Sequence, residues 1–413
     1  MPHSYYYTVL MKTAAIIAEY NPFHEGHKYH IEETKRQAGA EYCIILMSGN
    51  FVQRGAPAIF NKYERTLAAL NGGADAVLEL PALYATSSAE HFATAGVTIL
   101  NALNIADFLS FGSECGDIRP LSVIAECIWK IEQNPNFSSY IHSELKKGNS
   151  YATSYIHALE HSNPESENGR SNLDFSVWNN PNNLLGIEYL KALYKTGSNM
   201  HPITVLREGQ GYHDTALSKT QYASASAIRK QILEEKRDVS CLEENDFSEI
   251  LRYHLLNTDS SALASYLDVS NELSAKINKL SPQYDSFENL CNLLKSKNLH
   301  RSRISRALLH ILLQIYTPSY YDINYAERLY YAPFVRLLGY REGSRSLLSE
   351  IKRNSSIPLI TKLADASNLL DDRAYSFLQN EIRISHIYET VFSNKTGAPF
   401  QNEWKRSPIC VKS

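Results

Sequence analysis

The chain has little of what several functions require. Its 413 residues include only six cysteines, Cys43, Cys115, Cys127, Cys241, Cys291 and Cys410, with no Cys-x-x-Cys pair among them. That argues against a zinc ribbon and a disulfide framework, and fits a reducing cytoplasm. No apolar run approaches the ~18 residues a membrane span needs, so no membrane partner is expected. A basic surplus is missing too. The formal net charge is −3, so any nucleic-acid contact must come from a local patch. No carboxylate cluster marks a metal site, and there is no internal repeat. The start, Met1 to Leu10, lacks the basic region and long apolar core of a signal peptide. Met11-Lys12 reads as a natural start, which makes residues 1–10 a tail or a misassigned beginning.

What is present suits a globular protein able to bury a full core: 44% of residues are hydrophobic and 21% charged. The length calls for two or three domains. From 13 to about 236, short apolar strands (14–19, 42–47, 76–80, 107–111, 203–206) alternate with amphipathic runs such as 27–38, 63–71, 87–103 and 121–132. That pattern predicts an α/β domain with a parallel sheet and right-handed crossovers, in which ligands bind beyond the carboxyl ends of the strands. Residues 161–183 read as a surface loop leading into a helix at 184–195. From about Arg237 strand patterns disappear, and runs such as 247–256, 260–266, 302–316 and 344–352 predict an α-helical domain over 237–413. Its polar end, 394–413, is expected to fray.

The most informative segment is Ala18-Glu19-Tyr20-Asn21-Pro22-Phe23-His24-Glu25-Gly26-His27. It lies where the first strand turns into the first helix. A helix start offers free N–H groups and the positive end of a dipole to a phosphate. Gly26 lets the backbone approach a ligand. His24 and His27, at i and i+3, project from the first turn and can donate hydrogen bonds to a phosphate that gains charge. Metal ligation of the zinc-protease type needs i, i+4 spacing with a glutamate between, and the spacing here differs; a solvated first turn is the plain alternative.

His-x-Gly-His after a first strand resembles the nucleotidyltransferases with a Rossmann-like fold, relatives of class I aminoacyl-tRNA synthetases. The resemblance implies that the two histidines bind ATP phosphates and stabilise the transition state at the α-phosphate. Those enzymes carry a Ser/Thr-rich turn before a late helix, ending in Ile-Arg. Here Ser224-Ala225-Ser226-Ala227-Ile228-Arg229-Lys230 takes that place. Its hydroxyls, N–H groups and Arg229 can make a second phosphate cradle, or an ordinary N-cap before a basic helix.

Other segments carry weaker signals. Residues 48–57, with two glycines, amides and Arg54, read as a substrate loop or a plain surface loop. Lys62 and Arg65, one turn apart, can reach a triphosphate or an RNA backbone, or be solvent charges. Gly112 permits a ring or phosphate to rest on the backbone, or serves a turn.

The order of these pieces narrows the resemblance. Ile-Ala-Glu-Tyr-Asn-Pro-Phe-His-Glu-Gly-His, Met-Ser-Gly-Asn-Phe-Val-Gln-Arg-Gly-Ala-Pro-Ala, Gly-Ala-Asp-Ala-Val-Leu-Glu-Leu-Pro, Phe-Gly-Ser-Glu and Asn-Asn-Leu-Leu-Gly, followed by 300–306 and 336–340, look like the bacterial tRNA(Met) cytidine acetate ligases over roughly residues 11–370. Glu25 stands where the family usually has Asn. The resemblance implies a nucleotidyltransferase-like ATP-binding domain over 11–236 and a tRNA-binding role for 237–413. It implies an enzyme that uses ATP, with Mg²⁺ on the triphosphate, to activate free acetate as acetyladenylate. The acetyl group then passes to N4 of the wobble cytidine of elongator tRNA(Met). It assigns ATP contacts to Ile17, Ala18, Glu19, Tyr20, Asn21, Pro22, Phe23, His24, Glu25, Gly26, His27, Lys28, Tyr29 and His30, with Gly112, Asn182 (or Asn183), Arg207, Ser224, Ser226 and Arg229. The catalytic set is His24, His27 and Arg229.

For RNA the sequence offers two basic clusters. Around the predicted 302–316 helix, Arg303, Arg306 and His310 share a face, preceded by Lys295, Lys297 and Arg301. Arg336, Arg341, Arg345, Lys352 and Arg353 form the second. A solvated face is the alternative for both. Two further functions compete: a small-molecule adenylyltransferase of cofactor biosynthesis, opposed by the α-rich second half, and a non-catalytic RNA-binding protein, opposed by the intact histidine pair and Arg229.

Overall fold

The computed structural model describes residues 11–149, 151–162, 180–207, 224–235, 240–296, 299–317 and 331–412. Residues 1–10, Lys297, most of the 207–224 loop and the expected domain boundary at 237 lie outside the described residues.

Five parallel strands form the heart of the sheet: β1 (Thr13–Ala18), β2 (Tyr42–Ser48), β5 (Ala76–Leu80), β6 (Phe108–Ser113) and β7 (His201–Leu206). A short hairpin, β3 (Phe51–Val52) and β4 (Ala56–Pro57), follows β2. The spatial order is β5-β2-β1-β6-β7. The chain thus builds outward from β1 in one direction, then crosses back to build in the other. The crevice at the carboxyl ends of β1 and β6 is the topological switch point, where such sheets bind ligands.

Alternation along the strands divides the apolar side chains between two cores. Ala15 and Ile17 of β1 and Ile44 and Leu46 of β2 join one cluster, together with helices Ala89–Leu103, Ile118–Glu132 and Pro181–Thr196. Ile16, Ile45 and Met47 join the other, against helices Glu25–Ala38 and Lys62–Asn71. Both faces are covered, which is why these strands read as continuous apolar runs.

The expectation that strands end near Arg237 is corrected. β8 (Val335–Arg341) pairs antiparallel with β5, and β9 (Leu359–Ile360) and β10 (Ile409–Val411) pair with β8. The 335–341 segment, VRLLGYR, carries two arginines and a glycine, so its strand character depends on the sheet edge it covers rather than on its own pattern. The described part of the end, 394–412, is likewise held, because β10 pairs with β8 and the Glu403 carboxylate is buried against Lys62 and Arg336. The helical region proper has its own core, from Leu242 to Ile315, into which Phe51 and Ala82 of the sheet region also insert. The long helix Asp372–Thr396 joins the two: Glu381 accepts the Ala82 N–H at 2.7 Å, and the Tyr388 hydroxyl donates to the Ala58 carbonyl at 2.9 Å.

Candidate active site

A cavity of about 550 Å³ opens at the switch point. Its floor is the exit of β1, Ile16 to Asn21. One wall is Phe111 and Gly112 of β6 with Arg207 after β7. Another is the start of the 181–196 helix, and a third is Ser224 to Arg229.

His24 is the N-cap of the first helix and His27 its third residue, and they cap each other's surroundings reciprocally. His24 Nδ1 accepts the Gly26 N–H at 3.1 Å, and His27 Nδ1 accepts the His24 N–H at 3.3 Å. Both Nδ1 atoms therefore hold lone pairs, and in the neutral rings the proton sits on Nε2. The rings stack with centroids 3.7 Å apart. The buried His24 Nε2–H has no hydrogen-bond acceptor among the described residues. Burial, then the charges of Arg207 and Arg229, lower the His24 pKa to about 4. Burial, followed by His24, Arg207 and His30, pulls His27 well below the ordinary range. Burial and then Arg207 bring His30 down to about 4. At pH 7 the pair is neutral and donates, which suits a cavity already rich in arginine.

These shifts carry a stability consequence. Unfolded, the histidines take up protons below about pH 6.5; folded, His24 and His30 resist until about 4. Stability is then complete above about pH 6.5 and falls as the pH drops toward 4. Melting temperatures followed from pH 7 to 4.5 should decline, and the decline should be shallower in a His24→Gln, His30→Gln variant. An equal slope would contradict the assignment.

The remaining expected contacts divide. Ile17, Ala18, Glu19, Tyr20, Asn21, His27, His30, Gly112, Asn182, Arg207, Ser224, Ser226 and Arg229 all line the cavity. Arg229 donates to the Asn21 carbonyl and, at 2.9 Å, to Ser226 Oγ, tying the late helix to the β1 exit. Ser224 Oγ accepts the Ala227 N–H at 3.2 Å, so the turn is an N-cap as well as a cavity wall. Gly112 lies close under Arg207: a Cβ there would meet the Arg207 side chain at 3.1 Å, so the arginine would have to give by a few tenths of an ångström. Of the two asparagines, Asn182 faces the cavity while Asn183 is buried, its Oδ1 accepting the N–H groups of Glu114 and Cys115.

Pro22, Phe23, His24, Glu25, Gly26, Lys28 and Tyr29 do not line the cavity; His24 stands behind His27, its ring stacked on it. Glu25 and Lys28 are exposed on the outward side of the helix, where its 3.6-residue period carries them. Phe23 packs on Tyr20 and fills the space above Gly72. Gly26 serves through its N–H to His24.

Gln53 and Arg54 line the cavity, as the substrate-loop reading of 48–57 expected, while sequence reasoning passed over Leu184, Leu185, Tyr189 and Ser302. The leucines and the tyrosine are indistinguishable from core in a linear pattern. Gln53 and Arg54 belong to the loop after β2, whose position beyond a strand end was the available signal. That loop is seated on the helix Arg301–Leu313: Ser305 Oγ donates to the Gly55 carbonyl at 2.9 Å. Gly55 has φ 83°, and a Cβ on it would strike the Ser305–Arg306 backbone.

Lys62 and Arg65 reach neither phosphate nor RNA. Both are fully buried. Arg65 donates to the carbonyls of Phe60 and Glu19 at 3.0 and 2.6 Å, of Ser48 at 3.1 Å, and of Gly49, so one guanidinium clamps the β1 and β2 exits together. Lys62 pairs with Glu79 and Glu403, each at 2.6 Å.

The basic clusters separate. Arg303 and Lys295 are exposed, and Arg306 reaches the cavity wall 3.5 Å from Asp268. Arg301 is paired with Glu244 at 2.6 Å. His310 is buried between Leu267 and Thr86 and cannot share their face with solvent. Arg336 is corrected outright: it is 6% exposed and its guanidinium binds Glu79, Glu403 and the Tyr63 hydroxyl. Its strand alternation points it inward, not at solvent. Arg341 and Arg345 lie beside Asp75 and Glu342, at the amino ends of the parallel strands and so at the pole opposite the cavity.

A doubly covered parallel sheet with paired Nε2–H donors and an arginine-lined cavity at its switch point defines a nucleotide-activating enzyme of the nucleotidyltransferase class. A model of the HIGH Nucleotidyl Transferase family matches residues 11–403. The tRNA(Met) cytidine acetate ligase of Clostridium perfringens (strain SM101 / Type A) is 38% identical, over 92% of this chain and 98% of that protein. The one of Caldicellulosiruptor saccharolyticus is 35% identical, over 98% and 100%. Thermotoga maritima TmcAL bound with alpha-thio ATP superposes with a TM-score of 0.85 at 26% identity, covering 98% of this chain and all of that one. The chain belongs to the HIGH nucleotidyl transferase family and, within it, to the tRNA(Met) cytidine acetate ligases.

Proposed function

We propose that the chain is an ATP-dependent ligase that activates acetate as acetyladenylate and transfers the acetyl group to N4 of the wobble cytidine of elongator tRNA(Met), releasing pyrophosphate and AMP. The observation that carries the reading is the switch-point cavity lined by His27, Arg207 and Arg229, with the neutral His24 ring stacked on His27. Acetate attacks the α-phosphate, and charge builds on the α- and β-phosphates as pyrophosphate departs. His24, His27, Arg207 and Arg229 meet that charge with fixed donors, so positioning and electrostatics supply the rate enhancement. The relatives' name supplies the acceptor, and Arg306 at the cavity's helical wall with the exposed Arg303 on the same helix suit an RNA backbone.

Among the described residues no three His, Cys, Asp or Glu side chains group into a metal site. Mg²⁺ fits here as a partner of the triphosphate, held by phosphate oxygens and water. Among the described residues no helix is long and apolar enough to cross a membrane.

The test is AMP release from ATP by the purified protein, with and without acetate and with and without elongator tRNA(Met). A requirement for both, with acetylated cytidine in the recovered tRNA, is the expected result. Turnover with a phosphorylated metabolite instead of acetate would favour the small-molecule adenylyltransferase, and tRNA binding without turnover the non-catalytic reading. Charge reversal at Arg303 (to Glu) should weaken tRNA binding, lower the slope of log affinity against log salt, and leave acetate-dependent ATP–pyrophosphate exchange in place, whereas adding Arg306→Glu at the cavity wall should also lower exchange. Unchanged tRNA affinity at physiological salt would refute that surface.

A further inference from the structure

The second half-reaction needs a base. When the cytidine amine attacks the acetyl carbon, its nitrogen must lose a proton. The histidines of the cavity are poorly placed to take it. His24 and His27 commit Nδ1 to backbone N–H groups and carry hydrogen on Nε2, and His30 Nε2 is engaged with Ser110 Oγ at 3.1 Å. Burial raises the pKa of Tyr20 and Tyr189, so both hydroxyls keep their protons. Arg54, Arg207, Arg229 and Arg306 have nothing to accept with. Among the described residues that line the cavity, Glu19 is the single carboxylate.

Glu19 is also held in place. Its Oε1 accepts the Gln53 N–H at 2.9 Å, and its own carbonyl is gripped by Arg65 at 2.6 Å. It stands on the floor between the histidine turn and the wall made by Gln53, Arg54, Ser302 and Arg306.

We propose that Glu19 is the general base of acetyl transfer, a role that rests on the acetate-ligase reading above. The N4 lone pair forms the C–N bond and the carbonyl electron pair moves to oxygen. As the carbonyl re-forms, the bond from the acetyl carbon to the adenylate oxygen breaks and AMP leaves with that electron pair. The N4 proton passes to the Glu19 carboxylate and from there to solvent. No other reactant is needed.

The experiment separates the two half-reactions. Glu19→Gln keeps an acceptor for the Gln53 N–H but removes the basicity. Transfer from enzyme-bound acetyladenylate to elongator tRNA(Met), in a single turnover, should fall about 10²–10³-fold, within the range general bases supply. Acetate-dependent ATP–pyrophosphate exchange, which Glu19 can also serve from its place in the cavity lining, should fall at least tenfold less than transfer does, and Glu19→Asp should recover part of the transfer rate. Thermal melts report whether each variant is folded. Equal losses in both half-reactions would overturn the proposal and make Glu19 a residue that holds ATP or its metal; unchanged transfer would overturn it as well. If the unaltered protein shows no acetate-dependent exchange, it is the ligase reading that fails.

Discussion

Replacing His27 with glutamine is expected to reduce acetate-dependent ATP–pyrophosphate exchange by about 10²–10³-fold, the cost of losing one pre-aimed donor to a developing oxyanion. Glutamine is the informative substitution because His27 is more than a surface residue of the first turn. Its Nδ1 accepts the His24 N–H, and its ring lies against Tyr20, Phe23 and His24. Alanine would remove a cap along with the donor. Glutamine at this third helical position can still reach back to the N-cap N–H, as in the capping box. The expected outcome is a folded protein, weakened by about 1 kcal/mol from the lost ring contacts, with the rate defect in kcat. His24→Gln should give a similar defect, and the double variant less than the product of the two, because the stacked rings act as a unit. Full exchange activity in folded His27→Gln would remove the pair from the chemistry.

Arg336→Met is expected to destabilise the protein by about 3–5 kcal/mol, the range for breaking a buried ion pair by removing one partner. Two buried cations, Lys62 and Arg336, face two buried carboxylates, Glu79 and Glu403. Removing Arg336 leaves one negative charge uncompensated. The network spans β5, β8, the 62–71 helix and the 403–405 turn, so the loss should appear as early unfolding in denaturant. The tRNA affinity of the folded fraction should be unchanged. A stable variant with weakened tRNA binding would restore the RNA role that the arginine's position in the sequence suggested.

Arg336 shows where a linear reading stops. In VRLLGYR it is one of two cations near others, and cationic neighbours read as a surface patch. Its burial follows from a strand that covers the β5 edge 257 residues away in sequence, placing the guanidinium against Glu79. His310 was misread in the same way, since the segment that covers it, around Leu267, comes from a different turn of the chain. By contrast, β1, β2 and β5 were located within a residue or two, because a strand covered on both faces reads as a near-continuous apolar run, Glu79 of β5 being the buried exception.

The sequence alone determined the alternation of strands and helices in the first half, the phosphate-seeking turn after β1 and the order of motifs along the chain, since each is set by local periodicity and by residues adjacent in the chain. Only the tertiary structure decided which donors converge. It put Arg207 over Gly112, tied Arg229 to Asn21, chose Asn182 over Asn183, seated the 48–57 loop on the 301–313 helix and turned Lys62, Arg65 and Arg336 inward. Those outcomes depend on contacts between segments tens to hundreds of residues apart, and a charged side chain carries no local mark of whether water or a buried carboxylate will be its partner.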